Sequence, residues 1–106
     1  MQRTLALMRL ADDLRAAGPD LPLAHVDAPF GLQLLLGTLH PPVKFAEAAA
    51  LLRGPEPAFV VVKDMPRLRA ALGADAPRVW GVAGCTVKGR PYLHVIGNRP
   101  QLAVVP

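Results

Sequence analysis

Ala58-Phe59-Val60-Val61-Val62 is the stretch whose reading decides the fold. It is continuously apolar and rich in β-branched residues, a composition that predicts a strand buried on both faces at the middle of a parallel sheet. Downstream, Asp64 is placed to cap a helix, Pro66 suits its first turn, Leu68, Ala71 and Leu72 fall on one side, and Gly73 ends it. Upstream, Phe45, Ala48, Ala49 and Leu52 stand at i, i+3, i+4 and i+7, and Gly54-Pro55 stops that helix. Pro41-Pro42-Val43-Lys44 before it reads as a short extended piece at a sheet edge, because neither proline can donate to a ladder.

Further out, Leu21 to Val26 predicts a first strand. Asp27 follows as the expected N-cap of a helix entered through Pro29, which carries Leu32, Leu35, Leu36 and Leu39 on one side and closes near Gly37. Leu7, Leu10, Ala11, Leu14 and Ala17 recur at helical spacing opposite Arg9, Asp12 and Asp13, so residues 3–17 form an amphipathic helix ended by Gly18-Pro19. At the other end, Arg78 to Ala83 and Pro91 to Ile96 read as two strands around a Lys88-Gly89 turn. Alternating helices and strands with short connections imply the α/β class. The expected architecture is a three-layer α/β/α sandwich with a mostly parallel sheet and a C-terminal antiparallel hairpin at its edge. Residues 1–106 make one small domain, with no internal repeat or low-complexity linker.

Composition narrows the function classes. The chain has 106 residues, 52% hydrophobic and 19% charged, which favours a packed core over a disordered tail. Its charge of +4, from 12 Lys/Arg against 8 Asp/Glu, is spread along the whole chain and forms no polybasic arm. Arg67, Arg69, Arg78, Lys88, Arg90 and Arg99 thicken the second half, but no run of aromatics interleaves them, so no nucleic-acid partner is expected. The apolar runs are strand-length, far below the ~20 residues of a membrane span. Met1-Gln2-Arg3 opens no signal peptide, which leaves a cytosolic protein or an excised fragment as the alternatives. Serine is absent, which removes every serine nucleophile.

The residues able to carry chemistry are few. Asp27 and Asp64 each follow a strand, where open α/β sheets bind ligands, and this resembles the acidic pocket of a phospho-receiver module. That module's paired acids after the first strand and its later Ser/Thr and Lys are missing, and each aspartate is also explained as an N-cap. Neither G-x-G-x-x-G nor a P-loop occurs; Gly81-Val82-Ala83-Gly84 leads into Cys85 and suits a bulge or close approach. Asp12 and Asp13 are adjacent on a helix and point about 100° apart, as a solvated face would. His25, His40 and His94 have no metal-ligand spacing, and Cys85 has no C-x-x-C partner, so it reads as a passive thiol. Trp80 and Tyr92 are expected to pair across the hairpin. No catalytic, cofactor or metal residue is assigned.

Four segments together resemble a known family: Pro29 to Gly37, Phe45 to Leu52, Pro57 to Asp64, and Tyr92 to Asn98. Their order resembles the soluble C-terminal domain of bacterial lipid-linked-sugar glycosyltransferases, of the aminoarabinose transferase and protein O-mannosyltransferase type. The resemblance covers nearly the whole chain. One departure is Leu34-Leu35-Leu36-Gly37-Thr38, where the family commonly has an aromatic and a basic residue around the Leu-Gly step. The resemblance implies a periplasmic accessory domain at the inner membrane. Its parent enzyme would move a sugar from a polyprenyl-phosphate carrier to lipid A or another cell-envelope acceptor, with the catalytic acids elsewhere in that parent. The implied partner is the membrane-embedded portion, with a weak attraction to anionic lipid surfaces. The alternative is a stand-alone receiver-like or small-ligand-binding α/β module, which would be cytoplasmic.

Overall fold

The computed structural model of the chain describes residues 2–18, 21–37 and 41–102. Those residues form four helices, α1 (Gln2–Ala16), α2 (Phe30–Leu36), α3 (Phe45–Arg53) and α4 (Met65–Leu72), and four strands, β1 (Leu23–His25), β2 (Phe59–Val62), β3 (Trp80–Val87) and β4 (Arg90–Gly97). A 3-10 helix, Gly73–Arg78, follows α4 directly. It has no counterpart in the sequence reading, because helical periodicity cannot register so short and polar a segment. Leu39, His40 and Pro19, which figured in that reading, lie outside the described residues.

The strands form one sheet in the order β1-β2-β4-β3. The class is mixed α/β as expected, but the sheet is not mostly parallel. Only β1 and β2 run parallel, while β2·β4 and β3·β4 are both antiparallel. The reason is that β4 returns from the Lys88-Gly89 turn into the slot beside β2, leaving β3 at the edge. β2 is buried along its whole length, as its composition demands, with one parallel and one antiparallel neighbour. β1 is only three residues long. Instead of forming a strand of its own, the Pro41–Lys44 segment adds a single bond to that edge, Val43 N–H donating to the His25 carbonyl at 2.9 Å.

Strand alternation divides the core. Phe59 and Val61 pack with Leu7, Leu10, Leu14, Leu32, Leu93 and Val95 in one cluster. Val60 and Val62 pack with Ala48, Leu52, Met65, Leu68, Leu72 and Ile96 in another. The first cluster therefore belongs to α1 and α2, the second to α3 and α4. Two polar side chains tie the outer elements together. Arg53 on α3 donates to the Ala71 and Leu72 carbonyls at 2.7 and 3.0 Å, satisfying the end of α4, and pairs with Asp75 at 2.8 Å. Asn98, buried just after β4, accepts from Ala58 N–H at 2.9 Å and donates to the Gly54 and Glu56 carbonyls at 3.3 and 2.7 Å. It thereby holds the α3–β2 connection against the end of the sheet.

The hairpin turn follows the sequence expectation: Lys88 (φ 53°) and Gly89 (φ 76°) both adopt the left-handed conformation of a two-residue type I′ turn. The register slips at Gly81/Ala83 and at Cys85/Thr86, so the glycine pair does accompany a bulge. The Trp80–Tyr92 pairing does not form. Trp80 stands opposite Gly97, because the strands run longer than expected and place Trp80 at the far end of the hairpin.

Candidate functional site

Among the described residues, three places are candidates for a site. The first is the carboxyl end of the two parallel strands, where Asp27 and Asp64 both fall. Asp27 does not cap α2; that helix starts from Pro29 with no side-chain cap. Its carboxylate instead bridges the strand ends, one oxygen accepting from Lys63 N–H at 2.6 Å and the other from Asp64 N–H at 3.0 Å. Spacing alone could not reveal this, since the partners are 36 and 37 positions away. Asp64 does cap α4 as expected, accepting from Arg67 N–H at 3.2 Å. Both acids thus serve backbone amides, which is a structural use and not the bare acid pocket of a receiver module. Around them stand cations on aromatic faces: Lys63 lies 5.7 Å from the Tyr92 ring centroid and Arg67 4.6 Å from that of Phe45.

The second is an open groove of about 490 Å³ between α1 and the hairpin, bordered by Arg9, Asp13, Cys85, Thr86 and His94. Cys85 packs against the α1/α2 cluster. His94 lies between Leu93 and Val95, which both belong to that cluster, so alternation sends its ring to the opposite face. Burial pushes the Cys85 thiol up from its ordinary value, opposed by a backbone hydrogen bond to Leu93, so the passive reading of this cysteine has a physical basis.

The third is a cleft of about 190 Å³ between the C-terminal end of α1, edge strand β1 and α2. Leu14, Leu32, Leu36 and Val61 give it apolar walls, and Arg15, His25 and Gln33 are its polar members. His25 shares a face with Leu23, because the two register with Val61 and Phe59 respectively. Arg15 is held at the α1–α2 junction by Asp12 at 3.0 Å and by the Leu35 carbonyl. Sequence reasoning did not single out this cleft, because its lining comes from four separate elements and its histidine looks like an ordinary strand residue. Among the described residues no group of His, Cys, Asp and Glu could hold a metal ion. None of the described helices is long and apolar enough to cross a membrane.

No family model matches this chain, nor does any curated protein or solved structure.

Proposed function

We propose that this chain is a periplasmic accessory domain of a bacterial membrane glycosyltransferase, serving transfer of a sugar from a polyprenyl-phosphate carrier to lipid A or another envelope acceptor. One observation carries the reading. The four segments that resemble the family become α2 with its closing glycine, α3, β2 with the Asp64 cap, and β4 with Asn98. They are neighbours in space, since β4 lies beside β2 and Asn98 clasps the loop between α3 and β2. The resemblance thus falls on one connected part of the fold and not on scattered surface stretches.

The finer architecture belongs to the same reading: a three-layer sandwich with the sheet in the middle. The division of β2 between the two core clusters supports it. A surface for the membrane-embedded portion is supported by exposed apolar side chains, Leu5 (57%), Met8 (45%), Phe30 (61%) and Leu34 (58%). Leu5 and Met8 lie on the same helical row as Asp12 and Arg15, and Arg15 reaches α2, so this row borders the helix that carries Phe30 and Leu34.

The native reading frame tests the proposal. Translation upstream of Met1 is expected to continue into about a dozen apolar spans of ~20 residues each. A stop codon and a ribosome-binding site directly before Met1 would refute it.

A further inference from the structure

We propose that the cleft between α1, β1 and α2 is a binding site for a small aromatic acid. Its size limits the ligand first. A dry apolar cavity of about 150 Å³ accepts benzene, and this one, at about 190 Å³, has room for one ring and one small substituent. Its walls select next. Leu14 and Leu32 are almost fully buried and Val61 is 1% exposed, so they are fixed by the core behind them and present a preformed apolar surface. Leu36, half-buried in the last turn of α2, forms the side that a bulkier residue would close.

The polar members define the substituent. Arg15 and Gln33 are able to donate, and among the described residues none that lines the cleft is acidic. Arg15 has its two terminal nitrogens on Asp12 and on the Leu35 carbonyl, which anchors the guanidinium at the junction of α1 and α2. Its remaining Nε–H and its charge stay available to an anion, and a planar guanidinium suits a carboxylate. Among the described residues Asp12 is the carboxylate paired with Arg15; with 73% side-chain exposure it is well solvated and offsets the attraction without cancelling it. The ligand is therefore apolar over its body and carries a single anionic head. The cleft's chemistry stands whether or not the chain serves a membrane enzyme.

Titration of the ¹⁵N-labelled chain with benzoate tests the site, with benzyl alcohol as the neutral match. Amide shifts are expected at Ala28, Leu32, Gln33 and Leu36, with saturation below about 10 mM and benzyl alcohol about tenfold weaker. Leu36→Trp should fill the cleft and abolish the shifts. Arg15→Gln, a change at an exposed side chain, should bring acid and alcohol to equal affinity and decides the matter if Leu36→Trp does not fold. Absence of shifts at about 10 mM benzoate, equal binding of alcohol and acid by the unaltered chain, or an acid preference that survives Arg15→Gln would each overturn the proposal.

Discussion

At the scale of single residues, the polar side chains of this protein work mainly on its own backbone. Asp27 spans two strand ends, Asp64 caps a helix start, Arg53 a helix end, and Asn98 closes a loop. Cys85 is the residue whose chemistry responds most directly to its surroundings. Its thiol is raised by burial, so the folded state favours the protonated form. The corresponding stability is fully present below the ordinary thiol pKa of about 8.5 and is lost as pH rises through the higher folded value. Urea melts at mildly alkaline pH are expected to show a smaller loss of stability for Cys85→Ala than for the unaltered chain. At neutral pH a thiol reagent should label Cys85 slowly until urea unfolds the chain. Rapid labelling of the folded protein would show that the thiol is not shielded.

At the scale of elements, the hairpin and the central strand impose the tightest constraint. A Cβ on Gly97 would lie 2.5 Å from Cδ1 and 2.6 Å from Cε1 of Phe59, which is itself fully buried. β4 can lie beside β2 at this point because nothing projects from Gly97. Gly97→Ala is expected to destabilise by about 1–3 kcal/mol or more, the cost of overpacking a filled core, as measured by denaturant midpoint. Gly31→Ala is the control: its Cβ would find only Leu7 Cδ1 at 3.6 Å, an ordinary contact. Equal behaviour of the two variants would mean that β4 can shift away from Phe59. The elements themselves were largely legible in the sequence. Helical spacing predicted α1, α3 and α4, and a β-branched run predicted β2. The first strand was overestimated, since Leu21 to Val26 supplies only Leu23–His25 to the ladder. The apolar flanks Leu21 and Val26 lie outside the strand proper and pack into the two clusters, Val26 adding one bond from its N–H to the Val61 carbonyl at 3.1 Å, and hydrophobicity alone cannot separate those outcomes.

At the scale of the whole molecule, the question is what holds the domain to its surroundings. The charged residues behind the net charge of +4 are spread along the chain and form no single run, and α1 carries Asp12 and Asp13 on its exposed side. Flotation with vesicles rich in anionic lipid is therefore expected to recover little of the isolated chain, and to lose it at about 0.2 M salt. Charge reversal at two exposed positions, Arg69→Glu with Arg90→Glu, should abolish that residue of binding. Arg67 is unsuitable for the purpose because its guanidinium stacks on Phe45. Tight binding that resists salt would locate the attraction in Leu5, Met8, Phe30 and Leu34, and would contradict a domain kept at the membrane by its tether.

Local physics determined what each segment could become. Periodicity made the helices, the run at Phe59–Val62 made a strand that must be buried, and Lys88-Gly89 made a turn whose left-handed conformation depends on two residues only. The tertiary structure decided everything that joins distant segments: the insertion of β4 beside β2, the use of Asp27 to tie Lys63 and Asp64, the clasp of Asn98, and a cleft lined from α1, β1, α2 and β2. Such contacts lie 36 to 44 positions apart in the bonds of Asp27 and Asn98. A dihedral preference acts within a few residues, whereas hydrogen-bond partners and cavities exist only once the chain has closed on itself.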